Sequence, residues 1–161
     1  IISIGAVMYD SVELKELGRF YSLVRPAVNR ELDAWCRDFT GIRQGELDVA
    51  EGFIQVFRKF MHWIGDYENT ILISWGEGDI RALEKDIETN KALEEFGHRF
   101  KALKGNYSNF QNEFSKFIGS SNPISLKNAL AVFNLEFEGS HHNALDDAHN
   151  LALIYLNYRK E

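Results

Sequence analysis

Short apolar runs that favour β-strands alternate in this chain with longer segments of helical periodicity, and this order constrains the fold more than any other feature. Residues 1–9 and 69–76 are apolar runs of the kind found in buried strands. Residues 18–24 alternate apolar and polar side chains, which predicts a further strand. Residues 48–64 follow that strand and place apolar side chains at helical spacing. The alternation predicts an α/β domain.

Several further helices are predicted, and one segment fits neither pattern. Residues 91–105 stay ambiguous, and the polar, irregular residues 30–43 are expected to contain one short helix. Helices are predicted at residues 48–64, at 78–90, at 109–118, after the candidate N-cap Ser125, and from about 143 to 159. The apolar stripe of the first of these predicts a core position for Phe53, Phe57, Phe60 and Met61.

Composition narrows the class of protein. A chain of 161 residues that is 45% hydrophobic predicts one domain, residues 1–161, with a substantial core. The single cysteine, Cys36, excludes an internal disulfide and favours a reducing, cytoplasmic location. No apolar run reaches the roughly 18 residues that would span a membrane, so no membrane partner is expected. The net charge of −6 argues against a broad basic nucleic-acid surface, but not against an enzyme whose metal ions neutralise phosphate locally.

The last predicted helix carries a carboxylate on its apolar face. Its stripe has spacings of three and four residues, so its members share one side of the helix. An ionised carboxylate there is costly unless it is paired or bound to a metal, which singles out Asp147. The stripe consists of Ala144, Asp147, Leu151, Ile154 and Tyr158.

Four other titratable residues surround Asp147 in the stretch "GSHHNALDDAHN". His142 precedes the helix and can lean over its N-terminus towards Asp147. Asp146 lies in the first turn, where the helix dipole favours negative charge. His141 and His149 are expected to be surface residues, with His149 paired to Asp146. Each residue alone has an ordinary structural explanation, and only the pairing of His142 with Asp147 points to function.

Two motifs resemble those of the DEDDh 3′–5′ exonucleases, a family with a ribonuclease H-like fold. "HHNALDDA" is similar to the third motif of the family, which falls here on His142, Ala144 and Asp147. "ILISWGEGDIRALEKDI" resembles the second motif, with Asp79 as its carboxylate. Other stretches resemble the family in the right order: "IISIGAVMYD", "FTGIRQGEL" and "SLKNALAVFNLEFEG". The resemblance implies a central mixed β-sheet flanked by helices.

The first motif of that family has no counterpart in this chain. It is Asp-any-Glu on a strand upstream of the one similar to "IISIGAV", and it supplies two of four metal-binding carboxylates. Asp10 and Glu13 follow the strand and do not match it. We interpret the chain as an N-terminally incomplete exonuclease domain, with weak or no activity by itself. The alternative is a catalytically inactive nucleic-acid or protein-binding module on the same scaffold.

The resemblance implies a two-metal mechanism. Asp147, with the carboxylates of the first motif, would bind one Mg²⁺ or Mn²⁺ ion and Asp79 the second, because these ions prefer oxygen ligands. His142 would take the proton from the attacking water. The expected substrate is a single-stranded RNA or DNA 3′ end, and the product a nucleoside 5′-monophosphate. A homodimer is also implied, because several relatives pair.

Other interpretations stay open. A metal phosphohydrolase of a different kind would need further histidine ligands, and only His62 and His98 remain for that role. Asp79 would also serve as a plain helix N-cap. Trp75 and Glu77 either line the site or are structural. A short basic run is interpreted as a solvated segment rather than a nucleic-acid patch: Arg99, Lys101 and Lys104.

Overall fold

The computed structural model describes residues 1–161 and confirms the α/β class. The elements in chain order are β1 (Ser3–Tyr9), β2 (Glu16–Leu23), α1 (Ala34–Thr40), α2 (Gln44–Asp48), α3 (Phe53–Ile64), β3 (Leu72–Ser74), α4 (Gly78–Thr89), α5 (Leu93–Gly105), β4 (Tyr107–Asn109), α6 (Phe110–Phe117), α7 (Leu126–Val132) and α8 (Ala144–Tyr158). None of these helices is both long enough and apolar enough to cross a lipid bilayer.

The four strands form two pairs of opposite sense. β1 and β2 form an antiparallel hairpin in which Ser3 faces Leu23. β3 and β4 are parallel, with Leu72 opposite Tyr107. Because each sheet has two strands, β1 and β3 each keep one edge that pairs with no other strand of this chain.

Two hydrophobic clusters hold the helices against the strands. The larger one joins α3, α4 and α5 to β1, and the predicted α3 stripe is buried in it, as expected from its spacing. The second joins α6, α7 and α8, with Ile73 of β3 packed against it. β3 therefore contacts both clusters, because Leu72 packs on the first and Ile73 on the second.

The observed elements differ from the predicted ones where contacts between segments distant in the chain determine the secondary structure. The apolar run 69–76 yields only the three-residue strand β3, because its pairing extends no further along β4. The ambiguous residues 91–105 contain helix α5, whose buried side chains are Phe96, Phe100 and Leu103. β4 itself has the sequence "YSN", which has no strand periodicity and pairs only because α5 returns the chain to β3.

Candidate active site

The N-terminus of α8 lies directly on strand β1. The Asn143 side chain caps this helix by accepting hydrogen bonds from the backbone N–H groups of Leu145 (3.0 Å) and Asp146 (3.2 Å). At Gly5 of β1 a Cβ atom would lie 2.3 Å from backbone atoms of Ala144 and Leu145, so only glycine permits this approach. The contact sets the first turn of α8, which contains Asp147, against the hairpin.

Asp79 is positioned by the turn between β3 and α4. Gly76 has a φ of +92° there, and its carbonyl accepts hydrogen bonds from the hydroxyls of Tyr107 (2.6 Å) and Ser74 (2.7 Å). The N-cap residue of α4 is Glu77, and Asp79 is the second residue of the helix. The interpretation of Asp79 as a plain N-cap is therefore wrong, because no backbone N–H donates to its carboxylate.

The structure brings Asp79 and Asp147 close enough to interact electrostatically. Desolvation raises the pKa of Asp79 above the usual value, and the charge of Asp147 raises it further. The Asp79 side chain is exposed to solvent, although nearby protein atoms partly desolvate its carboxylate. The carboxylate forms no ion pair. Desolvation also raises the pKa of Asp147, against the lowering effects of the His142 N–H and of the charges of His142 and His141. Neither carboxylate forms an ion pair within the protein, although the charges of His142 and His141 act on Asp147.

His142 lies beside this pair, but its ring points elsewhere. The residue is exposed and has a φ of +67°, and its backbone N–H donates to Oδ1 of Asp147 at 3.4 Å. The imidazole stacks on Phe39 of α1, with 3.6 Å between ring centroids. Phe39 stacks in turn on Trp35, at 4.6 Å. The backbone of His142 therefore reaches Asp147 as expected, whereas its side chain ends an aromatic stack formed with Trp35 and Phe39.

The carboxylates of Asp79 and Asp147 supply part of the ligand set that a hard divalent cation needs. Two carboxylates with raised pKa and no ion-pair partner in the protein are oxygen ligands whose charge Mg²⁺ or Mn²⁺ would neutralise. No group of three or more His, Cys, Asp or Glu side chains converges on one point. His62, in the last turn of α3, and His98, in α5, belong to no such group, which leaves the histidine-rich metal site without its further ligands.

The neighbouring acidic and histidine residues have structural partners. Asp146 lies in the first turn of α8, as expected, and its carboxylate also accepts the N–H of Ser140 at 2.8 Å. The predicted pairing of His149 with Asp146 is wrong: His149 contacts Glu138, 2.8 Å from Nε2 to Oε2, because Asp146 is turned towards Ser140. His141 is exposed and stacks on Phe137.

Trp75, Glu77 and the basic run of α5 also have structural partners. Trp75 is structural, because its indole N–H donates to the Ile124 carbonyl at 3.1 Å and its ring packs in the second cluster. Glu77 forms a surface ion pair with Arg81. The basic run lies on α5, where Lys104 pairs with Glu84. These contacts agree with the solvated-segment interpretation of that run.

Sequence reasoning missed four residues that shape the site. Tyr107 and Asn150 act through hydrogen bonds across long sequence separations, which no local pattern reveals. Trp35 and Phe39 are four residues apart in a helix with no buried residue. Their side chains are 68% and 40% exposed, so two solvent-facing aromatic residues at this spacing in a polar segment were the available signal.

Comparison with known proteins gives one family over almost the whole chain. The family model described as "Exonuclease" matches residues 1–155. The chain is 27% identical over 162 residues to "3'-5' exoribonuclease 1" of Rattus norvegicus, covering 96% of this chain and 45% of that protein. The chain spans about half the length of the curated relatives it matches.

Solved structures have the same fold. The nuclease domain of 3'hExo, described as a DEDDh family member bound to rAMP, superposes with a TM-score of 0.75 at 24% identity, over 99% of this chain and 80% of that one. A structure described as 3'-end specific recognition of a histone mRNA stem-loop by 3'-exonuclease gives a TM-score of 0.77 at 22% identity, over 99% and 71%. Both likenesses establish the ribonuclease H-like fold.

Proposed function

Because this chain belongs to the exonuclease family, and its resemblance to the DEDDh members is thereby confirmed, we propose that it is the core of a metal-dependent 3′–5′ exonuclease domain. The observation that carries the proposal is the proximity of Asp79 in α4 to Asp147 in α8, whose charge adds to desolvation in raising the pKa of Asp79. The proposed reaction releases nucleoside 5′-monophosphates from single-stranded RNA or DNA ends.

The two carboxylates have the proposed role of holding divalent cations. Asp147 would hold one Mg²⁺ or Mn²⁺ ion and Asp79 the other, each through hard oxygen ligands. When bound, the ions supply Lewis acidity: they lower the pKa of the attacking water and neutralise charge on the phosphodiester. The electrostatics support this role, since bound cations would offset the desolvation of both carboxylates and the effect of the Asp147 charge on Asp79.

His142 has the proposed role of general base. Imidazole titrates near neutral pH, which suits a group that must take a proton from water and release it again. His142 is exposed and lies in the loop before α8; in the proposed reaction its ring leaves Phe39 and turns towards the water, while its N–H stays on Asp147. The chain thus supplies a base beside the carboxylates without burying it.

The exposed aromatic pair of α1 supports a single-stranded substrate. Trp35 and Phe39 stack on one another next to His142 and keep open surface. A nucleobase that is free of a complementary strand gains about 1–3 kcal/mol by stacking on such a side chain. This chemistry accepts the bases of RNA and DNA alike, so RNA and DNA 3′ ends are both proposed substrates.

The remaining ligands are proposed to come from a further strand. β1 and β3 each have an edge without a strand partner. A strand with the Asp-any-Glu motif that pairs with one of these edges would bring two more carboxylates to the site. The predicted incompleteness of the domain at residues 1–161 stays a prediction, as do the homodimer and the cytoplasmic location indicated by the single free Cys36.

The proposal is tested on the complete protein with its native N-terminal sequence. An oligonucleotide labelled at its 5′ end should give a descending ladder with Mg²⁺ or Mn²⁺, and none with EDTA. The same label on a blunt duplex should be degraded more slowly. Absence of a ladder with both metals would reject the exonuclease.

The second candidate is a catalytically silent binding module. It is favoured by one observation, the lack of any three-ligand group among the described residues. A fluorescence anisotropy titration with the same oligonucleotide separates the two candidates. Binding without cleavage, in the complete protein with either metal, would support the silent module.

A further inference from the structure

Alternate backbone N–H groups of the loop 138–142 donate to side chains of α8, the helix that this loop enters. The three acceptors lie on the first two turns of the helix, so the loop lies along the helix start. The bonds are Glu138 N–H to Asn150 Oδ1 (3.0 Å), Ser140 N–H to Asp146 Oδ2 (2.8 Å) and His142 N–H to Asp147 Oδ1 (3.4 Å).

Asn150 is the buried member of this set. It is fully inaccessible to solvent, and its Nδ2 donates to the carbonyls of Glu138 and Asp146, both at 2.8 Å. The side-chain amide therefore uses both N–H groups and its oxygen, and Glu138 is held by its N–H and its C=O together. A displaced loop would leave buried polar groups of Asn150 without partners, which is costly.

Asp146 is the second point of attachment. Gly139 has a φ of +88°, and a Cβ atom there would lie 2.4–2.8 Å from the Asp146 carboxyl group. The loop thus passes over the Asp146 carboxylate in van der Waals contact and then receives the hydrogen bond to Ser140. The bond of His142 is the longest of the three, at 3.4 Å, so the position of His142 depends on the two shorter bonds before it.

We propose that Asp146 and Asn150 are positioning residues for His142: they hold loop 138–142 against α8 and so fix the His142 backbone beside Asp147, from where its side chain can reach the site. This inference rests on the proposed role of His142. General-base catalysis depends on hydrogen-bond reach, and a displacement of about 1 Å can cost up to 10²-fold in rate. The expected effect of losing either residue is therefore on turnover rather than on substrate binding.

The test compares Asp146→Ala, Asp146→Asn and Asn150→Ser in the complete protein. Asp146→Ala and Asn150→Ser should lower kcat by about tenfold with KM changed less than about twofold. Asp146→Asn keeps an acceptor oxygen for Ser140 and should recover most of the activity. Asn157→Ala is the matched control, because that asparagine also lies on α8 but donates only to Leu153.

A double-mutant cycle separates positioning from general stability. In a His142→Ala background, Asp146→Ala and Asn150→Ser should cause no further loss of kcat, because the group they position is gone. Full additive losses in that background, or a loss in Asn157→Ala as large as in Asn150→Ser, would overturn the proposal.

Hydrogen exchange gives a readout that needs no activity. The backbone amides of Ser140 and His142 should exchange at least about tenfold faster in Asp146→Ala than in wild type. Unchanged exchange overturns the positioning role even in an active enzyme. Faster exchange in a protein that degrades no oligonucleotide would instead overturn the proposed function, so the two failures are distinguishable.

Discussion

The imidazole of His142 lies nearly parallel to the ring of Phe39, with 3.6 Å between the centroids and 20° between the planes. One residue comes from the loop before α8 and the other from α1, which are far apart in the chain. The contact joins the proposed base to the proposed platform for the terminal nucleobase. A nucleobase that stacks on Phe39 would therefore compete with the His142 imidazole for the Phe39 ring. Substrate entry would then release the imidazole towards the carboxylates.

Phe39→Ala should weaken substrate binding more than it affects folding. Loss of one stacked nucleobase is expected to raise KM for a single-stranded oligonucleotide by about 5- to 150-fold. Steady-state kinetics on the complete protein measures this. The control is Phe117→Ala on α6, which is 46% exposed against 40% for Phe39 and contacts Phe114 at a tilt and Tyr158 edge-to-face. An equal rise in KM for both variants would contradict the platform.

His142→Ala and Asp147→Ala should separate catalysis from metal binding. Removing the base should lower kcat by about 10²- to 10⁴-fold and leave Mn²⁺ affinity within about twofold. Removing the Asp147 carboxylate should lower both kcat and Mn²⁺ affinity, because this carboxylate is the proposed metal ligand. Isothermal titration with Mn²⁺ and the ladder assay provide the measurements, with the exposed His98→Ala as control. Equal Mn²⁺ affinity in wild type and Asp147→Ala would reject this division of roles.

Asp79→Asn should stabilise the metal-free protein at neutral pH. The folded-state pKa of Asp79 is raised, so its contribution to stability is present below the unfolded-state pKa and is lost as pH rises through the folded-state pKa. At pH 7 the ionised, crowded carboxylate therefore lowers the free energy of unfolding, and the amide removes this cost. The advantage of Asp79→Asn in urea unfolding should shrink as pH falls through the folded-state pKa and should be lost below the unfolded-state pKa.

Glu94→Gln is the control for that measurement. Glu94 is also the second residue of its helix, α5, but it is exposed and faces no second carboxylate of the site. Its substitution should change stability by less than about 0.5 kcal/mol, as for most surface positions. A gain in Glu94→Gln equal to that in Asp79→Asn would attribute the effect to the helix terminus.

Gly5→Ala should destabilise the domain, because the added Cβ would lie 2.3 Å from backbone atoms of α8. The backbone at the helix start has to shift, and overpacking of this kind costs about 1–3 kcal/mol. Chemical denaturation gives the free energy of unfolding. Gly18→Ala on the partner strand β2 is the matched control, because its Cβ would meet only Trp63 Nε1 at 3.5 Å, an ordinary contact. Similar losses in both variants would disprove the close approach of α8.

Local patterns were sufficient for much of the fold, and they drew attention to Asp147 and His142 as candidate site residues. The α3 stripe has helical spacing and is buried as expected, and Asp147 stands out because a carboxylate interrupts an apolar face. His142 was singled out by its position before Asp147 and Asp79 by motif resemblance, since each has an ordinary structural explanation when taken alone. The sequence by itself thus determined the α/β class, most of the helices and the identity of the candidate site residues.

Tertiary structure decided how those residues are arranged. Three-residue strands such as β4 have no period of their own and form only when a helix returns the chain to a partner. The electrostatic coupling of Asp79 to Asp147 and the stacking of His142 on Phe39 join segments at least 68 residues apart in the chain. Asn150 was unremarkable in sequence and became a buried anchor only when its amide met the backbone of Glu138. Local spacing cannot encode such contacts, because hydrogen bonds and desolvation depend on which distant groups the packed core brings together.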